Sequence, residues 1–130
     1  MEQKEGYVLD VDLYRVGNAA SPRLDFLRER DIDQFFANGI AMVRANGLGI
    51  SIATLSWLKK RGLNGHVYLL EKGVTVIPGG LILAPAPAGS GHYHIAPLHT
   101  MSLQSYLDLL RILGTSCVYA GRIEELSVEA

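Results

Sequence analysis

The segment from Gly73 to Pro97 contains no Lys, Arg, Asp or Glu, and it constrains the fold more than any other part of the chain. Two short β-branched and aliphatic runs, Val74 to Ile77 and Leu81 to Ala84, are joined by Pro78-Gly79-Gly80, and a third run carries His92, Tyr93, His94 and Ile95. Apolar runs punctuated by Pro and Gly read as strands of a buried sheet. Because successive strand side chains point to opposite faces, His92 and His94 share one face and Tyr93 and Ile95 the other. One face of this sheet is therefore polar enough to do chemistry.

The remaining segments supply partners for it. Val8 to Val16 alternates so that Leu9, Val11, Leu13 and Arg15 fall on one face and Asp10, Asp12 and Tyr14 on the other. Arg15 ends the inward row, either as a snorkelling edge residue or as a guanidinium held at the rim of a cleft for an anion. Ser21-Pro22 reads as an N-cap and first helical residue, opening an amphipathic helix with Leu24, Phe26, Leu27, Ile32, Phe35 and Phe36 that Asn38-Gly39 closes. Ile40 to Val43 fits a short strand or a turn of helix. Ile50-Ser51-Ile52 is a strand with a hydroxyl between two isoleucines, after which Thr54 caps a helix from Leu55 to Arg61 ended by Gly62. His66 to Glu71 reads as a strand turning at Glu71-Lys72-Gly73. Met101 to Leu113 has the clearest helical pattern, with Leu103, Tyr106, Leu107, Leu110 and Leu113 on one face, Ser102 or Thr100 as cap and Gly114 as stop. Val118 and Tyr119 begin a last strand before an acidic tail. No repeat or linker interrupts the pattern, so one domain over residues 1–130 is expected.

Composition removes several function classes. A hydrophobic content of 48% supports a real core without being membrane-like, and no uninterrupted apolar run is long enough to span a bilayer. The formal net charge of -1 offers no electrostatic footprint for nucleic acid or an anionic membrane surface. Met1 to Gly6 lacks the basic-then-apolar order of a secretory signal, and the single cysteine, Cys117, forms no internal disulfide. The expected compartment is a reducing cytoplasm, that of the producing or of a target cell. Cys117 has no basic partner nearby in sequence and reads as a small buried hydrophobe rather than a nucleophile.

Four chemistries remain to be weighed. His92-x-His94 with His99 downstream has the residue types of a zinc site, but no Cys or acidic partner stands in the stretch and there is no His-Glu-x-x-His helix, so no metal site is assigned. Ser51 lacks the Gly-x-Ser-x-Gly setting of an activated nucleophile. Pro78-Gly79-Gly80 and Gly89-Ser90-Gly91 match neither a Walker A motif nor a dinucleotide fingerprint, and read as turns. The fourth possibility is a cleft formed by Arg15, Ser51 and His92 from three separate strands, which the spacing permits.

The order of these motifs resembles a family of small bacterial toxins. Leu13-Tyr14-Arg15, Gly49-Ile50-Ser51, Gly73-Val74-Thr75-Val76-Ile77-Pro78-Gly79-Gly80-Leu81, His92-Tyr93-His94-Ile95-Ala96-Pro97 and Met101 before a Leu-rich helix are similar to the ordered motifs of ADP-ribosyltransferase-like effectors of type VI secretion. The resemblance runs from about Asp12 to Leu113. It implies an α+β, ADP-ribosyltransferase-like fold in which two small, strongly bent β-sheets form a cleft for NAD as substrate, with flanking helices. It also implies toxicity held in check by a cognate immunity protein, and a macromolecular acceptor whose identity the sequence does not reveal. Carried onto this chain, the resemblance makes Arg15, Ser51 and His92 the catalytic cleft residues. Arg15 would meet NAD phosphate or ribose, Ser51 the nicotinamide ribose, and His92 would lie nearest the N-glycosidic bond, while Tyr14 and Tyr93 are candidates to stack on a ring. Many ADP-ribosyltransferases place a glutamate where the oxocarbenium-like ribose forms; the stretch around His92 has none, and Glu124 and Glu125 read as solvated surface. Transfer to a macromolecule, hydrolysis of NAD, and binding without turnover stay open. So do a non-enzymatic protein-binding module of the same fold and a His-based metal hydrolase.

Overall fold

The computed structural model describes residues 7–128. The Met1–Gly6 segment and the last two residues of the acidic tail lie outside them. In chain order the elements are β1 (Tyr7–Val8), β2 (Leu13–Val16), β3 (Gln34–Ala37), β4 (Ile40–Val43), β5 (Ile50–Ala53), α1 (Leu55–Lys60), β6 (His66–Leu70), β7 (Val76–Ile77), β8 (Leu81–Pro85), β9 (His92–Pro97), β10 (Met101–Ser102), α2 (Leu103–Gly114) and β11 (Val118–Arg122). Strands and helices mix in an α+β arrangement. Six antiparallel strands lie in the order β11-β6-β2-β5-β9-β8, beside a three-stranded sheet β10-β4-β3 and the pair β1-β7. The runs expected as strands at Ile50, His66, Leu81 and His92 all lie in the six-stranded sheet.

That sheet is packed on both faces, because its strands carry apolar residues on both. Leu13, Ile50, Ile52, Leu70 and Ile95 join Tyr106, Leu110 and Leu113 of α2 in the larger core. Ala53 and Val67, with Tyr14 and Val16 packed alongside, meet Leu55 and Leu58 of α1 and Ile123 on the opposite side. Tyr106 is fully buried and still satisfied: its Oη donates to the Ile95 carbonyl at 2.6 Å and accepts from the Ile50 N–H at 3.2 Å. It thus fastens α2 to β5 and β9 together. Burial pushes its pKa up to about 12. Gly49 is needed at the start of β5, because a Cβ there would stand 2.0 Å from the Ile95 carbonyl oxygen.

Both helix caps form as the sequence predicts. Thr54 accepts from the Trp57 N–H at the head of α1, and Ser102 from the Ser105 N–H at the head of α2.

The amphipathic helix expected after Ser21-Pro22 does not form. Arg23 takes φ 54°, a left-handed conformation that stops a helix at its second residue. Asn38-Gly39, read as a helix stop, is instead the two-residue turn of the β3–β4 hairpin, with φ 53° and 78° and Ala37 registered with Ile40. These are the residues and dihedral signs of the tight turn that matches strand twist. Phe35 and Phe36 consequently alternate across β3, and Phe36 is left 69% exposed. The strand expected over Val8 to Val16 is likewise two pieces: β1 pairs with β7 and β2 with β6, joined by a bend in which Leu9 stays buried.

Candidate functional site

The six-stranded sheet is nearly divided at its centre. β2 makes four consecutive register pairs with β6, from Leu13 with Leu70 to Val16 with Val67, yet meets β5 in one pair only, Tyr14 with Ala53. Beyond that pair the strands part, and a cavity of ≈ 410 Å³ is lined by Tyr14, Arg15 and Val16 on one side and by Ser51, Ile52, Ala53 and His92 on the other. Its size lies in the range of small-molecule sites. The loop after β2 and the head of α1 complete the walls with Arg23, Phe26, Arg28 and Trp57.

Three of the residues predicted to share a cleft, Arg15, Ser51 and His92, line this one cavity from three strands, and Tyr14 lines it as well. Tyr93 does not reach it. It sits on the other face of β9, packed against the larger core, as the alternation of the His92–Ile95 run dictates.

Each polar group has a distinct state. The Arg15 guanidinium spans the gap between the parted strands and donates to three main-chain carbonyls: Nη1 to Ser51 at 3.0 Å, Nε to Pro22 at 3.1 Å and Nη2 to Arg23 at 2.9 Å. Burial pulls its pKa down to about 10, so it stays charged at neutral pH. The Ser51 side chain is unspent: among the described residues its Oγ makes no protein hydrogen bond, although its carbonyl is held by Arg15. His92 Nδ1 lies 2.9 Å from the Ala86 carbonyl, which can only accept, so Nδ1 donates and Nε2 is left without a protein partner among the described residues. The ring is fixed further by stacking on Trp57, with centroids 4.3 Å apart and planes 10° from parallel, while Arg61 caps the far face of that indole at 4.6 Å. His94 shares the His92 face as expected, edge-on at 5.3 Å, and its Nδ1 donates to the Gly47 carbonyl at 3.2 Å.

Trp57, Arg23 and Phe26 were not apparent as site residues from sequence. Trp57 carried one usable signal: it is the only tryptophan, and it stands in the first turn of a helix opening directly from β5 at a Thr54 cap. Arg23 and Phe26 were hidden by the helical reading of their segment.

Other candidates fall away from the cavity. Among the described residues no group of three or more His, Cys, Asp or Glu side chains is placed to hold a metal ion. His99 is exposed beyond the end of β9. Cys117 is half-buried against the larger core, and its partial burial pushes the thiol up to about 12, away from the state of a reactive nucleophile. Glu124 is exposed, as expected, and does not line the cavity: its Oε1 accepts from the Gly65 N–H at 2.9 Å and its Oε2 from Arg122 Nε at 2.6 Å. Among the described residues no carboxylate lines the cavity. Among the described residues no helix is long and apolar enough to cross a membrane.

The chain is α+β, and its sheet opens into a cavity whose charged lining, among the described residues, is arginine alone. Comparison with known families makes the assignment specific. The family model of the Tse2 ADP-ribosyltransferase toxin matches residues 11–118, and the chain belongs to that family. It is a toxin of the ADP-ribosyltransferase type. No curated protein and no solved structure matches it.

Proposed function

We propose that this toxin acts on NAD, breaking the bond between nicotinamide and ribose, and that the cavity between β2 and β5 is where it does so. One observation carries the reading beyond family membership: Arg15, Ser51 and His92, distant in sequence, line a single cavity. The parting of β2 and β5 supports treating the six-stranded sheet as the two small bent sheets of an ADP-ribosyltransferase-like cleft. The residues present suit the substrate. Among the described residues three arginines and no carboxylate line the walls, a lining that favours a pyrophosphate, and Tyr14 and Phe26 offer aromatic faces to a ring. Among the uncommitted polar atoms of the cavity, His92 Nε2 and Ser51 Oγ are suited to ribose hydroxyls, and Trp57 fixes the His92 ring in place. A hydrogen bond from a ribose hydroxyl to Nε2 stabilises the positive charge that grows on the ribose as nicotinamide departs. Arg15 holds the strand carrying Ser51 at its working distance from β2.

The family reading brings a cognate immunity protein as partner, delivery by type VI secretion in competition between bacteria, a macromolecular acceptor of ADP-ribose, and action in the cytoplasm of the target cell. The test is to incubate the purified chain with NAD and follow released nicotinamide, with and without cell lysate. Release only with lysate identifies a transferase, and release without it a glycohydrolase. No release in either, with undiminished toxicity, favours a binding module that acts through an apolar surface such as the exposed Phe36 and Ile40 at the β3–β4 hairpin.

A further inference from the structure

The three arginines of the cavity are not equivalent. Arg15 has spent three donors on main-chain carbonyls. Arg28 is paired with Asp31 at 3.2 Å, and the Asp31 carboxylate also accepts from the Arg28 N–H. Arg23 differs from both: among the described residues its side chain has no ion pair and no hydrogen bond. Its guanidinium lies 3.9 Å over the Phe26 ring. Stacking occupies the flat face of a guanidinium and leaves its in-plane N–H fork available.

The backbone of Arg23 is also unusual. It holds φ 54°, where side-chain-bearing residues are rare, and two neighbours keep it there. Its N–H donates to Ser21 Oγ at 3.0 Å, and its carbonyl accepts from Arg15 Nη2 at 2.9 Å. A strained residue that is held from both sides and lines a cavity is an observation from which a functional role can be argued.

We propose that Arg23 is the residue that takes the pyrophosphate of the dinucleotide, presented by Phe26, and that Arg15 is a positioning residue acting through the Arg23 carbonyl. This rests on the reading of the cavity as an NAD site. It reassigns the phosphate contact that the motif order gives to Arg15: the buried guanidinium builds the loop, and the uncommitted one meets the ligand.

The experiment is calorimetric titration of the full chain with NAD, ADP-ribose and nicotinamide riboside, the last of which has no phosphate. Arg23→Asn removes the cation, and Asn tolerates the left-handed backbone; Arg23→Lys keeps the charge without the fork, and Arg30→Asn, an exposed arginine outside the cavity, is the control. Thermal melts check that each variant is folded. Arg23→Asn should weaken NAD and ADP-ribose by roughly ten- to hundred-fold, the worth of one charge-assisted hydrogen bond, and leave nicotinamide riboside unchanged. Arg23→Lys should fall between, and Arg30→Asn should match wild type. If Arg15 acts through Arg23, adding Arg15→Lys to Arg23→Asn should cost no further affinity for ADP-ribose. Undiminished NAD affinity in folded Arg23→Asn overturns the role of Arg23 and leaves the NAD reading standing. Equal loss for nicotinamide riboside overturns the phosphate assignment too. Wild type that binds ADP-ribose but not NAD, with the loss still seen in Arg23→Asn, overturns the NAD reading and supports the anion site. Wild type that binds none of the three overturns both.

Discussion

A guanidinium half-buried at the end of an inward strand row needs either an anion or fixed acceptors, because an unpaired charge withdrawn from water is costly. At Arg15 the acceptors are the carbonyls of Pro22, Arg23 and Ser51. Three acceptors in different directions suit a planar fork and not an ammonium, which keeps the charge as a single point. Arg15→Lys should therefore lower stability by about 2–3 kcal/mol, or a melting temperature lower by roughly 10 °C at about 4 °C per kcal/mol for a chain of this size. Differential scanning calorimetry of the two proteins without ligand is the measurement. An unchanged melting temperature would mean that the carbonyl contacts contribute little and that the residue serves a ligand directly.

At the scale of elements, the Tyr106 hydroxyl ties α2 to β5 and β9 by hydrogen bonds, in addition to the apolar face that the helix buries. Tyr106→Phe would keep the shape of the core but strand the Ile50 N–H and the Ile95 carbonyl, both buried, at a cost of about 1–3 kcal/mol. Chemical denaturation should show it as a lower midpoint at constant slope. The C-terminal 3-10 turn over Ile123–Glu125 is pinned differently. The Gly65 N–H, then Arg122, hold the Glu124 carboxyl down to about 2 from an ordinary 4.5. A depressed carboxyl stabilises the fold above its unfolded pKa and loses that contribution as pH falls through its folded one. The difference in melting temperature between wild type and Glu124→Gln, present at pH 7, should shrink between about pH 4.5 and about pH 2. A difference that stays constant over that range would rule out the linkage. The same elements show what local sequence can carry. Thr54, Ser102 and the Leu-rich face of α2 act within a few residues of themselves, and all three read correctly. Ser21-Pro22 was equally plausible as a helix start, but what decides that segment is Arg15 gripping the carbonyls of Pro22 and Arg23 from another strand, a contact that no local pattern encodes. Asn38-Gly39 was misread for a related reason, since the same pair stops a helix or turns a hairpin, and pairing with β4 and β10 selects the hairpin. The face shared by His92 and His94 was legible because strand alternation fixes it; the Trp57 stack was not, because it depends on how α1 docks.

Over the whole molecule, the cavity shares part of its wall with both cores: Ile52 belongs to one and Ala53 and Leu58 to the other, on either side of the sheet. Its polar side chains are different, because they stand in the gap where β2 leaves β5 and can change without opening either core. Ser51 shows the consequence most clearly: its Oγ makes no protein hydrogen bond among the described residues, so Ser51→Ala should leave the melting temperature within about 2 °C of wild type, a surface-like effect of under about 0.5 kcal/mol. His92→Ala gives up the bond to Ala86 and the stack on Trp57, and should cost about 1–2 kcal/mol while remaining folded. Gly49→Ala is the opposite case. Its added carbon would stand 2.0 Å from the Ile95 oxygen in the β5–β9 ladder, so the chain must shift or fail to fold. Expressed on its own, the wild type should arrest growth and all three variants should relieve it, Ser51→Ala and His92→Ala as folded protein and Gly49→Ala by losing the fold. Viability counts paired with melts of the purified variants separate the two routes. Undiminished toxicity of folded Ser51→Ala and His92→Ala would move the harmful activity away from the cavity and onto the protein's surface.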